Sequence, residues 1–327
     1  MNVFVAGATG ALGSHLVPML IADGHEVTGM TRTAAKQDRI RRMGARPVVA
    51  DALDPEAVAQ AVAEAEPEVV IHELTAIDAG SVGRSIDKAF AQTNRLRTEG
   101  TDHLLAAARA VGARRFIAQS FAGWPYERTG SPVKAEEDPL QTSPPKGVVE
   151  TLGAIRYLER TVTGADGIEG VALRYGGFYG PGTSLGLDPV GEQIEMVRKR
   201  RLPMVGDGAG VWSLVHIRDA AAATAIAVER GEPGIYNVVD DDPAPVSVFI
   251  PELAKAIGAK PPRRLPRWLG RLIAGEAATV MMTEVRGASN AKAKRELGWE
   301  LSYPSWRIGI REGLRASAAQ DLVGVAR

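Results

Sequence analysis

The first half of the chain alternates between short apolar runs and segments whose apolar residues recur at helical spacing. The apolar runs predict strands at 2–6, 26–31, 46–50, 68–72, 114–119 and 169–174. The periodic segments predict helices at 11–23, 34–43, 55–65, 87–111 and 148–163. Strands that alternate with helices are joined by right-handed crossovers, which place them parallel in a sheet buried on both faces. The pattern predicts an α/β fold with a doubly wound parallel sheet.

The pattern changes beyond residue 175. Residues 176–210 are rich in glycine and proline, whereas residues 211–242 return to a strand, a helix and a strand that rejoin the large sheet. Short helices follow around 247–257, 266–275 and 291–297. We therefore expect residues 1–175 and 211–242 to form the sheet domain, with a smaller C-terminal substrate lobe made of 176–210 and 243–327. Ligands of such folds bind at the carboxyl ends of the strands, here between the two parts.

Three glycines lie between the first strand and the first helix. Gly7 permits a tight turn, Gly10 lets the backbone approach a pyrophosphate, and Gly13 permits close packing of the helix on the strand. The exposed N–H groups that begin the helix favour an anion. The turn therefore predicts a dinucleotide site, contacted by Gly7, Thr9, Gly10, Ala11, Leu12 and Gly13.

The end of the second predicted strand bears on the choice of cofactor. An NAD site would place an acidic residue here to bind the ribose 2′-hydroxyl, but Arg32 occupies the position. A guanidinium suits a 2′-phosphate, and Lys36 or Arg39 would assist it. We therefore expect NADP in preference to NAD. The alternative is that Arg32 is a solvated loop charge.

The third predicted strand is followed by Asp51 and Ala52, where the adenine end of a dinucleotide should lie. An acidic residue in this segment would equally well cap the helix that begins at Pro55. Both interpretations stay open on the sequence.

Composition limits the class of partner. The 327 residues include 39 basic and 39 acidic side chains and no basic block, so we expect a small-molecule substrate, with no nucleic acid and no membrane. There is no cysteine, which excludes a disulfide framework, a thiolate nucleophile and a cysteine metal site. The five histidines lack ligand spacing, so no metal site is expected. Neither a signal peptide nor a membrane-spanning run is evident, and we expect a cytoplasmic protein.

Several further motifs point to one family. They are the three glycines, Val70-Ile-His72, Asn94, Arg174, Tyr179-Gly-Pro-Gly182, Val205-Gly-Asp-Gly208, Val215-His-Ile-Arg-Asp219, Tyr236-Asn-Val238 and Lys294-Arg-Glu-Leu-Gly-Trp299. Over almost its whole length the chain resembles an extended short-chain dehydrogenase/reductase of the NAD-dependent epimerase/dehydratase family. The resemblance implies a Rossmann fold, with further cofactor contacts at Leu74, Asn94, Tyr175 and Phe178.

The catalytic positions depart from that family. Its members carry Tyr-x-x-x-Lys on the helix after the fifth strand, where the tyrosine exchanges the proton of the reacting hydroxyl. Alignment on Glu159 places Thr151 and Ile155 at these two positions. The family's carbonyl-polarising Ser or Thr falls on Phe121, and a shift of one residue would return that role to Ser120. No shift restores Tyr-x-x-x-Lys, and Thr151 is the residue left at the tyrosine position.

The substrate positions also differ. Relatives that act on nucleotide sugars tend to place an arginine where this chain has Trp212. With Phe121, Trp124, Tyr126, Phe178 and Tyr179 it predicts an aromatic pocket, unless these residues only pack the joint between the lobes. Arg286 is a candidate anion contact, with a solvated surface position as the alternative.

The family's catalytic tyrosine acts as a proton donor, so its absence calls for another proton donor near the end of the fifth predicted strand. Tyr126 is the best phenolic candidate, and a packing role is its alternative. Glu73 and Lys146 are weaker candidates. Hydride transfer does not always need a strong acid, because positioning contributes several kcal/mol by itself.

Two hypotheses follow. The first is an NADP-dependent oxidoreductase or isomerase that acts on an apolar or cyclic carbonyl or hydroxyl metabolite through a non-standard proton donor. The second is a non-catalytic NADP-binding sensor or scaffold. We favour the enzyme. A homodimer formed through the helices at 87–111 and 148–163 is also expected from their apolar stripes, although the same residues would equally cover the sheet.

Overall fold

The computed structural model describes residues 1–77 and 85–314, and its centre is a seven-stranded parallel sheet. The strands are β1 (Asn2–Ala6), β2 (Glu26–Thr31), β3 (Arg46–Val49), β4 (Val69–His72), β5 (Arg115–Phe121), β7 (Glu169–Tyr175) and β12 (Gly234–Val238). Their order is β3-β2-β1-β4-β5-β7-β12, so the chain winds outward in both directions from β1. This confirms the predicted doubly wound Rossmann sheet.

Helices cover both faces of the sheet. They are α1 (Gly13–Ala22), α2 (Gln37–Arg42), α3 (Pro55–Ala65), α4 (Ile86–Ala89), α5 (Ala91–Arg95), α6 (Thr101–Ala110), α7 (Val149–Thr163) and α9 (Ile217–Ala227). Apolar residues of α1 and α9 fill one face, and those of α3, α6 and α7 fill the other. The central strands β1 and β4 are covered on both faces and consist mostly of buried apolar residues, as expected for the middle of such a sheet.

The predicted helix at 87–111 is interrupted. It consists of α4, α5, a π-helical turn over Leu96–Gly100 and α6. The Leu96 carbonyl accepts a hydrogen bond from His72 Nε2 at 3.0 Å, while His72 Nδ1 accepts the Leu74 N–H at 3.3 Å. The π turn therefore begins at the residue whose carbonyl bonds a buried side chain from β4.

The smaller lobe consists of short strand pairs and helices. The strands are β6 (Val133–Lys134), β8 (Gly177–Tyr179), β9 (Met204–Val205), β10 (Val211–Trp212), β11 (Leu214–His216), β13 (Ala244–Pro245), β14 (Arg264–Leu265) and β15 (Gly287–Ala288). The helices are α8 (Glu192–Arg198), α10 (Val246–Ala256), α11 (Arg267–Thr283) and α12 (Ala291–Leu297).

Two details of this lobe differ from the sequence pattern. The strand expected near residue 211 does not join the large sheet: β11 pairs with β8, and only β12 extends the sheet. Residues of α12 and Trp299 belong to the apolar cluster of α1 and α9, so this late segment packs on the large sheet.

Across residues 1–77 and 85–314, no helix combines the length and the apolar character needed to cross a bilayer.

Candidate functional site

The glycine-rich turn has the geometry that its sequence predicts. Gly7 adopts φ +101°, and a Cβ there would lie 2.7 Å from the Glu73 carbonyl oxygen. A Cβ on Gly13 would lie 2.4 Å from the Gly7 oxygen, whereas the Gly10 N–H donates to that oxygen at 2.9 Å. In the described structure the N–H groups of Ala11 and Leu12 have no backbone acceptor. They are free to bind a pyrophosphate at the start of α1.

Two arginines lie near this turn. Arg32 directly follows β2 and is exposed. Arg39 reaches back from α2, and its Nη2 donates to Ser14 Oγ at 2.6 Å. Ser14 Oγ in turn donates to the Gly10 carbonyl at 2.5 Å, which ties this guanidinium to the turn.

The segment after β3 separates the two interpretations made of it. Asp54 caps α3, because its carboxylate accepts the N–H groups of Glu56 and Ala57 at 3.1 Å. Asp51 accepts only the Leu53 N–H at 3.1 Å among the described hydrogen bonds of its side chain. The carbonyl of Ala52 is bonded to His103 Nδ1 at 2.9 Å. The cap is therefore Asp54, and Asp51 is not needed for it.

Thr151, which alignment on Glu159 predicts to lie at the family's tyrosine position, has a short hydroxyl held by a carboxylate. Thr151 donates from both its backbone N–H and its Oγ1 to Asp87 Oδ1, each at 2.8 Å. Asn94 Nδ2 donates to Thr151 Oγ1 at 3.2 Å. Ile155, predicted to lie at the lysine position, is 1% exposed and packs in an apolar cluster with Trp124. Asp87 was not identified from the sequence, since 64 residues separate it from Thr151 and no local motif marks the pair.

Ser120 and Tyr126 belong to a buried polar network instead of an open cleft. Ser120 Oγ donates to Glu159 at 2.6 Å, and Arg174 makes two hydrogen bonds of 2.7 Å to the same carboxylate. The Tyr126 hydroxyl donates to Asn237 Oδ1 at 2.6 Å and accepts from Arg174 at 2.9 Å. Tyr126 is fully buried, and burial raises its pKa to about 12. This geometry favours the packing alternative for Tyr126 over a proton-donating role.

The aromatic residues of the predicted pocket are distributed over several apolar clusters. Trp124 and the half-buried residues Phe121 and Trp212 share one apolar cluster with α7 and α11, next to Ile155. Tyr179 belongs to a different cluster and packs edge-on against His216, with 5.2 Å between ring centroids. Phe178 lies 5.3 Å from the Tyr175 ring. The sequence-predicted pocket is therefore divided between clusters, with Tyr179 apart from Trp124, whereas Trp212 packs against both of their clusters.

Arg286 is committed to the backbone. Its Nε and Nη2 donate to the Arg128 carbonyl at 2.9 and 2.7 Å. Two of its five donors are used in this way, and the arrangement ties β15 to the loop that follows β5. Lys146 is exposed, and its backbone N–H donates to Glu276 at 3.4 Å.

Glu73 lies beneath the glycine-rich turn and is 6% exposed. Its Oε1 is 2.9 Å from the Tyr175 hydroxyl, which is 2.7 Å from Thr224 Oγ1, and Thr224 donates to the Ala220 carbonyl at 2.8 Å. Two hydroxyl protons cannot supply three hydrogen bonds, so a protonated Glu73 completes the chain. Burial raises the pKa of Glu73 to about 8, against the lowering effect of the Tyr175 hydrogen bond. Because a protonated Glu73 carries no negative charge, it does not repel an anion bound at the glycine-rich turn.

Comparison with known proteins agrees with this fold. The model of the NAD-dependent epimerase/dehydratase family matches residues 3–238. A 3-diazoavenalumate denitrifying reductase from Streptomyces sp is 46% identical over 313 residues, which cover 95% of this chain and 99% of the relative.

Two solved structures are similar over nearly the whole chain. UDP-glucose 4-epimerase from Thermotoga maritima, with UDP-glucose, has a TM-score of 0.75 at 24% identity and covers 97% of this chain and 100% of its own, which supports the fold alone. UDP-glucose 4-epimerase from Thermus thermophilus, in complex with NAD, has a TM-score of 0.70 at 28% identity and covers 95% of this chain and 97% of its own. The family and its relatives point to an oxidoreductase or epimerase with a Rossmann fold, and this chain belongs to the NAD-dependent epimerase/dehydratase family.

Proposed function

We propose that this protein is an NADPH-dependent reductase whose reaction needs no proton from a protein side chain. The proposal rests on the alignment that places Thr151 and Ile155 at the family's tyrosine and lysine positions, together with the surroundings of these two residues in the structure. The Thr151 hydroxyl is bonded to Asp87, and Ile155 lies in an apolar cluster. Such a site suits hydride delivery to an electrophile that does not become an alkoxide, because an alkoxide would require a nearby acid.

The relative that is 46% identical suggests the electrophile. Its name describes a reductase that removes nitrogen from a diazo compound that bears a carboxylate. Bound NADPH would supply a hydride, whose electron pair forms the new carbon–hydrogen bond while nitrogen leaves with the carbon–nitrogen pair, so that R–N₂⁺ and NADPH give R–H, N₂ and NADP⁺. This reaction requires no proton from the protein. We propose a diazo derivative of an aromatic acid as the substrate class.

The described residues fit a dinucleotide. The N–H groups of Ala11 and Leu12 would bind its pyrophosphate, and the space above Gly10 lets the backbone approach it. Arg32 and Arg39 would bind a ribose 2′-phosphate, since both are exposed beside the turn. Arg32 also occupies the position at which an NAD site would have an acidic residue. Asp51 would lie near the adenine end.

The walls of the site would exclude water from the reacting carbon. Trp124 and Ile155 are buried in one apolar cluster, and the half-buried Phe121 packs against it, near the position at which the alignment places the family's lysine. Trp212 is fixed by donating from its indole N–H to the Met281 carbonyl at 2.8 Å. An aromatic substrate would stack in such surroundings without a dedicated cation for a diphosphate.

The proposal is tested by following NADPH oxidation with an arenediazonium carboxylate and, separately, with a panel of ketones and aldehydes. We expect turnover of the diazonium compound above the enzyme-free rate, and little turnover of carbonyl compounds. The paired variant Thr151→Tyr with Ile155→Lys, which restores the family motif, should not accelerate the diazonium reaction. Efficient carbonyl reduction by the native protein, with no diazonium turnover, would overturn the proposal.

A further inference from the structure

Two basic segments that are distant in sequence lie side by side on the smaller lobe. Contrary to the expectation that the chain has no basic block, residues 198–201 contribute four consecutive cations. Residues 260–271 contribute Lys260, Arg263, Arg264, Arg267 and Arg271. The segments are joined because β9 pairs with β14, which places Arg264 opposite Met204. Arg200 Nε also donates to the Pro261 carbonyl at 3.0 Å. We call this surface the basic face. It is concentrated on a chain whose net charge is zero.

Acidic side chains offset only part of this charge. Glu195 pairs with Arg198 and Lys199, Glu284 pairs with Arg267, and Glu276 pairs with Arg271. Within residues 1–77 and 85–314, no ion pair involves Arg201, Lys260, Arg263 or Arg264, all of which are exposed. The basic face therefore keeps a net positive field that attracts anions.

Large apolar side chains project beside these cations. Trp268 is 68% exposed, Leu272 is 66% exposed and Ile273 is 54% exposed, all on the first part of α11. This part ends at Gly275, whose φ of +87° breaks the helix. Its inner side is held by Gly270, where a Cβ would lie 2.4 Å from a Val205 methyl group. The helix is thus fixed to β9 through its glycine, with its tryptophan and aliphatic side chains turned outward.

We propose that the basic face and the outer side of α11 together bind the surface of an anionic lipid bilayer. A helix with arginines next to tryptophan, leucine and isoleucine matches the composition of interfacial helices, in which apolar side chains enter the lipid boundary and cations contact headgroups. A nucleic acid would use the cations but has no need of exposed Leu272 and Ile273. This binding is independent of the reaction proposed above.

The test measures co-sedimentation of the full-length protein with phosphatidylcholine vesicles, with and without phosphatidylglycerol, at low and high salt. We expect binding only to the anionic vesicles, weakened by salt. Arg263→Glu with Arg264→Glu should weaken it by roughly 10-fold or more. Trp268→Gln with Leu272→Gln should weaken it by a similar factor.

The matched control is Arg42→Glu with Arg109→Glu, which reverses two exposed arginines of α2 and α6 and should leave binding unchanged. Circular dichroism and urea unfolding establish that all variants are folded. Equal affinity for neutral vesicles, or no vesicle binding by the native protein, would overturn the proposal. So would binding to duplex DNA that is indifferent to Trp268→Gln, or a concentration-dependent dimer that the same substitution dissociates.

Discussion

The buried carboxyl of Glu73 should make the stability of this protein depend on pH in a defined direction. The ordinary pKa of 4.5 applies to the unfolded chain, and burial raises the pKa of Glu73 to about 8 in the folded chain. Between these values the folded state holds a proton that the unfolded state has released. The free energy of unfolding therefore falls as pH rises through this window, and this contribution becomes constant above the folded pKa.

Glu73→Gln removes this dependence while preserving the local hydrogen bonds. A glutamine amide can donate to the Tyr175 hydroxyl as the protonated carboxyl does, so the chain from residue 73 to Thr224 stays complete. One bound proton changes the free energy of unfolding by about 1.4 kcal/mol per pH unit. Relative to the native protein, the variant should therefore gain about 2 to 3 kcal/mol between about pH 5.5 and 7.5.

Urea unfolding of both proteins at several pH values measures this gain. Glu64→Gln changes an exposed glutamate of α3 and serves as the matched control, whose difference from the native protein should stay constant with pH. A constant difference between Glu73→Gln and the native protein would show that Glu73 is ionised when folded, and would refute the proton count made for this hydrogen-bonded chain.

Three further predictions concern the cofactor and the buried network. Arg32→Ala and Arg39→Ala should each weaken NADPH binding by about 10-fold or more, because each removes a charge-assisted contact to the 2′-phosphate. NADH binding should stay nearly unchanged, and calorimetric titration can measure both affinities. Equal losses of affinity for the two cofactors would contradict this assignment. Tyr126→Phe removes the hydroxyl that bonds Asn237 and Arg174, and should lower the free energy of unfolding by about 1–3 kcal/mol. The kcat should change little. A large loss of kcat in a stable variant would support Tyr126 as a proton donor. Glu159→Ala should lower the free energy of unfolding, measured in urea, by about 3–5 kcal/mol, because Arg174 would be left buried without its carboxylate partner. A decrease below about 1 kcal/mol would show that water replaces the carboxylate.

The sheet and the glycine-rich turn were predictable because their signals are local. The apolar run from residue 2 to 6, followed by Gly7, Gly10 and Gly13, contains the strand, the turn and the helix start within a few residues. The all-parallel order of the sheet followed from the alternation of strands and helices. Local sequence also marked the cap at Asp54, although it did not distinguish this residue from Asp51.

The features that escaped prediction depend on contacts between distant residues. The π turn at Leu96 is associated with His72, which lies 24 residues earlier on another element. Thr151 meets Asp87 across 64 residues, and Tyr126 meets Asn237 across 111. Tyr126 follows a strand end, which suggested a cleft position, but the tertiary partners Arg174 and Asn237 bury it. The basic face likewise exists only because β9 and β14 pair.

Hydride transfer without a protein proton donor determines the origin of the hydrogen in the product, and isotope labelling can measure that origin. The native enzyme would be supplied with NADPH deuterated at the nicotinamide C4 and an arenediazonium carboxylate, and the product would be examined by mass spectrometry and NMR. We expect one cofactor-derived deuterium on the carbon that lost nitrogen, with none acquired from deuterated water when unlabelled NADPH is used. Solvent deuterium at that carbon would contradict the claim and require a protonating residue in the site.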